Sequence, residues 1–259
     1  MTQLRLCHLS HSHRRLPCLL AFALLVAVSS QVSAQHSVRR HQPGAGQRAV
    51  VIDERLSALR EQPEATAALK QRLRRGRIVG IIRTARRKGG PAYCLVAVTR
   101  RTRGWVLAEA LARSGREPDA QRLLKMIEET RDDFTRARLA RLCADEFSRT
   151  TSAPRALLVL GDAAAAASQR LSREARKRAG TGGEESDSDA RLSRRNYLLN
   201  DTGLDRWNRA GVAFSYEAGT DRLVYDGAAW RELRRKYPRS DEAQQAQERL
   251  KQARSAAKN

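Results

Sequence analysis

The chain has 259 residues, 41% of them hydrophobic, enough to bury a core in one large or two small domains and too apolar for disorder throughout. It carries 43 arginines and 7 lysines against 28 acidic residues, a net charge of +22, so its surface attracts anions over a Debye length. The same arginine excess is also what a GC-rich coding sequence yields. No histidine follows His41, which argues against Ser-His or Cys-His nucleophiles and histidine-ligated zinc, and no Gly-rich phosphate loop, dinucleotide fingerprint or Cys-x-x-Cys pair is present.

Residues 1–34 hold Arg5, Arg14 and Arg15 with no acid, an apolar run over 16–28, and Val32-Ser33-Ala34. This order predicts a secretory signal peptide cleaved after Ala34, an apolar run too short to span a bilayer, and delivery to the periplasm or beyond. Cleavage removes three basic residues and no acid, so the mature chain keeps a charge of +19. Residues 35–48 are polar and glycine-containing and predict a flexible leader, in which His36 and His41 are solvated side chains and not metal ligands.

From 49 to 113, short apolar runs at 49–52, 77–82 and 93–98 are bounded by Gly76, Gly89-Gly90-Pro91 and Gly104, which predicts strands joined by tight turns and closed into a small barrel. The pieces Leu59-Arg60 with Pro63, Leu73-Arg74-Arg75-Gly76-Arg77-Ile78-Val79, Tyr93 with Val96, and Gly104-Trp105-Val106 resemble the bacterial SH3-like domain of exported proteins. That resemblance implies a glycine turn before the last strand, a tryptophan packed on the barrel, and binding of cell-wall peptides or packing against a neighbouring domain; it transfers no ligand-binding residue. Tyr93 and Trp105 are candidates for an aromatic groove, with a core role as the alternative. Arg100, Arg101 and Arg103 lie on an expected turn, either as guanidinium forks for carboxylates and phosphates or as a solvated surface.

Residues 116–255 predict a helical domain. Ala120, Leu123, Leu124 and Ile127 follow Pro118 at helical spacing; Leu139, Leu142, Cys143 and Phe147 mark a second helix; Leu157, Leu160, Ala164, Leu171 and Ala175 hold phase through a third, with Ser152 as its candidate cap. The acidic, glycine-rich segment 180–190 predicts a mobile loop. Alternating Val212, Phe214 and Tyr216 followed by Leu223-Val224-Tyr225 favour a β-hairpin over a helix at 205–225.

The stretch 225–250 then predicts two helices. Ala229, Trp230, Leu233 and Tyr237 share one stripe, Pro238 stops the first helix, and Ser240 caps the second, whose face is Ala243, Ala246, Leu250 and Ala253. Tyr237-Pro238-Arg239-Ser240, with Ala243 and Leu250, resembles the tetratricopeptide-like repeats of bacterial envelope proteins. This resemblance implies a helix pair that binds partner segments. Gly104, Trp230, Tyr237, Pro238 and Ser240 are assigned structural roles.

Cys94 and Cys143 form either a disulfide or two buried thiols. Glu109, Glu128, Glu129, Glu146 and Glu232 leave an acid-dependent cell-wall hydrolase formally open, with nothing in their spacing to select it. The expected fold is α+β, an SH3-like barrel followed by a tetratricopeptide-like domain. The expected function is a non-catalytic exported scaffold that binds protein or peptide partners in the cell envelope without a cofactor. A polyanion binder using Arg100, Arg101, Arg103 and the basic run 72–87 is the alternative.

Overall fold

The computed structural model describes residues 46–86, 88–179 and 187–256. The expected signal peptide and cleavage site, His36, His41 and Arg87 lie outside these residues, as do positions 180–186 of the expected loop. Positions 187–190 of that loop are helical instead, because Asp187 opens the helix Asp187–Asn196.

The fold is α+β. Seven strands, β1 (Gln47–Val51), β2 (Ala58–Arg60), β3 (Leu69–Arg72), β4 (Ile78–Arg86), β5 (Ala92–Ala97), β6 (Arg103–Leu107) and β7 (Leu111–Arg113), form one sheet in the order β3-β2-β6-β5-β4-β1-β7. Every neighbouring pair is antiparallel. The three expected strands are present with shifted ends. Strands β3 and β7 have no clear signal in the sequence, since each is only three or four residues long and β3 has the polar sequence LKQR.

Side chains alternate across a strand, and β1 uses both faces. Ala49 and Val51 join a sheet core with Leu59, Val79, Val96 and Val106. Val50 and Ile52, with Ala112 of β7, enter a second core built mainly from helices. The strand region and the helical region are therefore joined by apolar contact, not by a linker.

The helices are α1 (Glu117–Glu129), α2 (Asp133–Glu146), α3 (Ser152–Ala179), α4 (Asp187–Asn196), α5 (Leu204–Arg209), α6 (Ala228–Lys236) and α7 (Asp241–Ala256). Of the predicted stripes of the first two, Ala120, Leu123, Ile127, Leu139, Cys143 and Phe147 are buried while Leu124 and Leu142 are half-buried, and α3 runs unbroken for 28 residues with Leu157, Leu160, Ala164, Leu171 and Ala175 inside. The segment 205–225 holds both a short helix, α5, and a hairpin of β8 (Phe214–Glu217) with β9 (Arg222–Tyr225). Phe134, Trp207, Phe214, Tyr225 and Trp230 form a chain of edge-to-face contacts with centroids 5.1 to 6.3 Å apart. Each such pair adds about 0.5–1.5 kcal/mol to the area it buries.

The final helix pair starts later than expected. Tyr225 belongs to β9, and α6 begins only at Ala228, after Gly227 takes a left-handed φ of 76°. Its end is as expected: Pro238 lies in the turn after Lys236, and Ser240 Oγ accepts from the Ala243 N–H at 3.2 Å. Trp230 is buried against α3 at Gly161, while Tyr237 is half-buried and donates its hydroxyl hydrogen to the Ser148 carbonyl at 2.6 Å.

Cys94 lies in the sheet core and Cys143 in the helical core, both as free thiols. Burial, with a smaller contribution from Glu117, pushes the Cys143 thiol up to about 12. A thiol so held is a packing residue rather than a nucleophile.

A further link joins α2 to α6, where Glu232 accepts from Arg141 at 2.8 Å and Lys236 at 2.6 Å. Burial raises the Glu232 pKa, but these hydrogen bonds and charges outweigh it and carry the carboxyl below its usual value. The stabilisation is therefore complete above the unfolded glutamate pKa and fades as pH falls through the lower folded value. Thermal melts from pH 7 to pH 3 are expected to show a steeper loss for the wild type than for Glu232→Gln. Parallel curves would remove this pair from the acid sensitivity.

Candidate anion-binding cleft

The chain reverses between β3 and β4 at Arg74, Arg75, Gly76 and Arg77. The Arg77 N–H donates to the Arg74 carbonyl at 3.0 Å, and Gly76 N–H to the Val51 carbonyl at 2.8 Å. Gly76 has φ 78°, and a Cβ there would meet Arg138 Nη1 at 2.9 Å and Leu139 Cδ2 at 3.2 Å. A glycine is needed twice over, for the left-handed turn and for the close approach of α2. The facing wall is the turn at 98–102, where Thr99 Oγ1 accepts from the backbone of Arg101 at 3.2 Å and of Thr102 at 3.0 Å.

Between these turns and α2 lies an open cleft of about 450 Å³. Arg72, Arg74, Arg75, Arg77 and Arg138 line it, and no carboxylate does. None of the five forms an ion pair among the described residues. The Nε atoms of Arg75 and Arg77 are both buried without a hydrogen-bond partner. Arg138 donates to the Arg75 carbonyl at 3.2 Å, and desolvation followed by repulsion from Arg75 lowers its pKa, with Glu54 opposing.

Buried polar groups are nearly always paired, and a desolvated charged donor without an acceptor is costly. Five arginines around one open cleft with no carboxylate in its lining make a positive cleft that an oxyanion would complement through the guanidinium groups exposed there. Planar guanidinium groups suit carboxylate and phosphate oxygens through paired N–H donors.

The residues singled out from the sequence fall in different places. Arg100, Arg101 and Arg103 are exposed and do not line the cleft, whereas the neighbouring Thr99 and Thr102 do. Tyr93 and Trp105 are buried at 5% and 6% exposure, so they do not form an open aromatic groove. Trp105 instead pairs with Leu95 and Arg60 across the sheet and lies 4.9 Å beneath the Arg83 guanidinium. Gly104 sits within β6, not in a preceding turn, and its role is clearance: a Cβ would come within 2.7 Å of Leu59 Cγ.

Arg138 is not legible from sequence because it occupies a half-buried position beside the apolar stripe of α2, where an arginine has no distinguishing pattern. Three of the five glutamates singled out from the sequence are engaged elsewhere. Glu146 binds Arg48 and Ser114, Glu128 binds Arg155, and Glu232 binds Arg141. Among the described residues, no group of three His, Cys, Asp or Glu side chains is arranged to hold a metal, and no helix is long and apolar enough to cross a membrane.

Comparison of the chain with protein-family models, curated proteins and solved structures gives no match.

Proposed function

We propose that this is an exported, non-catalytic adaptor of the bacterial cell envelope that holds an anionic partner in the arginine cleft. The observation that carries this reading is the convergence of Arg72, Arg74, Arg75, Arg77 and Arg138 on one open cleft with no carboxylate in its lining and no ion pair to any of the five among the described residues. In this reading the strand region is an SH3-like barrel. Leu59 from β2 and Leu111 from β7, near opposite ends of the sheet, enter one core, so the sheet curls around that core as a partly open barrel does, with β3 and β7 at its edges. The helical region is tetratricopeptide-like, a view supported by α6 and α7 joined through Tyr237-Pro238 and capped by Ser240. Export rests on the charge and apolar order of the first 34 residues.

The test is binding of a sulphated glycan polymer and of polyglutamate to the mature chain at low and high salt. Affinity is expected to fall steeply with salt and to depend on Arg75 and Arg77. A second reading is a diffuse polyanion surface using Arg100, Arg101 and Arg103, favoured by the exposure of all three. In that case Arg100→Ala with Arg101→Ala would weaken binding as much as changes in the cleft, and the cleft reading would fall.

A further inference from the structure

Resting on the anionic-partner reading, we propose that the partner is a protein: an extended acidic peptide segment adds as a strand to the free edge of β3 and places a carboxylate in the arginine cleft. The sheet has two edges, and they are treated differently. At β7, Leu111 and Ala112 are buried, the Arg113 N–H donates to Asp119 Oδ2 at 3.1 Å, and the Leu111 carbonyl accepts from Arg122 at 3.5 Å. Side chains of α1 thus close that edge. At β3 all four residues are exposed, and Leu69 keeps 51% of its surface in solvent.

The register determines which backbone groups are available. Leu73 N–H donates to the Ser57 carbonyl at 3.1 Å, and Ala58 faces Arg72 while Leu59 faces Gln71. Because hydrogen-bonded and non-bonded pairs alternate in an antiparallel ladder, Gln71 turns its backbone groups toward β2 and Arg72 turns its own outward; the register shifts between Leu59 and Arg60, so Lys70 has no partner in β2 and the regular part of the edge is its Arg72 end, beside the cleft. No side chain among the described residues bonds to those outward groups. An unpaired edge of this kind is a template for another strand.

Charge selects the occupant. Lys70 and Arg72 lie on the edge, and Arg74 and Arg75 follow beyond the buried Leu73. Two copies of this edge repel one another, whereas an acidic strand is complementary. Gln71 and Arg72 also line the cleft, so a chain paired along β3 is led toward Arg75, Arg77 and Arg138. Backbone pairing then supplies affinity, and the carboxylate in the cleft supplies selectivity. A glycan polymer carries the charge but lacks the regular peptide N–H groups that a strand edge pairs with.

The test uses the mature full chain and a fluorescent six-residue peptide of alternating glutamate and valine. Two further versions are methylated on alternate amides, one on the odd set and one on the even set. Only one set faces β3, so the two methylated peptides are expected to differ at least tenfold in affinity, and the peptide is expected to protect the Arg72 amide from hydrogen exchange. If both methylated peptides bind as well as the parent while Arg75→Ala with Arg77→Ala abolishes binding, strand addition is overturned and the cleft reading stands. Strand addition is likewise overturned, with the cleft reading intact, if only the sulphated polymer binds and that binding needs the two arginines. If neither peptide nor polymer binds, both readings fall.

Discussion

Replacing Arg75 and Arg77 together by alanine is expected to weaken the binding of an anionic polymer or peptide by about 100-fold while leaving the melting temperature almost unchanged. A hydrogen bond to a charged group is worth about 1.5–3 kcal/mol, and about 1.4 kcal/mol is tenfold in affinity, so each lost guanidinium contributes roughly a factor of ten. Stability behaves differently because the two side chains hold little together in the free protein. Neither forms an ion pair among the described residues, both Nε atoms are unpartnered, and Arg77 makes only a long 3.4 Å bond to the Val98 carbonyl. Removing Arg75 also relieves its repulsion of Arg138. Fluorescence anisotropy and calorimetry on the same samples separate the two quantities. A parallel collapse of affinity and melting temperature would make the arginines structural.

A methyl group at Gly161 is expected to cost about 2 kcal/mol of stability, against the ordinary helical preference for alanine. Gly161 lies in α3 opposite the Trp230 indole, and a Cβ there would come within 2.7 Å of Cε2 and 2.5 Å of Cδ1. Overpacking of this kind typically costs about 1–3 kcal/mol, whereas Gly to Ala within a helix normally gains about 1 kcal/mol. Trp230 is 3% exposed and held by Tyr225 edge-to-face at 5.4 Å, so it has little room to withdraw. The sign should reverse once the indole is gone. In a Trp230→Leu background, Gly161→Ala is expected to be neutral or stabilising by up to about 1 kcal/mol, which urea unfolding of the four proteins in a double-mutant cycle would reveal. The same sign in both backgrounds would mean that the indole does not define this position.

Much of the helical half was legible because its signal is local. The apolar stripes of α1, α2 and α3, and the Pro238–Ser240 stop and cap, follow from spacing within a few turns. The strands with β-branched residues were also legible, including β4 and β5. Strand β3 was not, since an exposed edge strand has no need of apolar residues and LKQR carries no alternation. On sequence, Tyr225 fits both the hairpin and the start of the closing helix pair; it pairs with Phe214 across the hairpin, and the helix begins only beyond Gly227. Cross-strand pairing overrode a weak local preference.

The candidate site was half visible. The basic run 72–87 contains Arg74, Arg75 and Arg77, and Gly76 marked the turn that presents them. By itself the sequence determined the α+β class, the helical stripes, the closing helix pair and a strong positive charge, because these depend on composition and on neighbours a few residues apart. Only the tertiary structure decided that Arg138 meets Arg75, that Trp105 is buried beneath Arg83, and that β3 is left as the exposed edge. The first depends on α2 sharing a core with the strand region, where Leu139 joins Val50 and Ile52, and the other two on the strand order, all of them relations between residues far apart in the chain. No local pattern encodes such contacts, since an arginine beside an apolar stripe looks the same whether it faces water or another guanidinium.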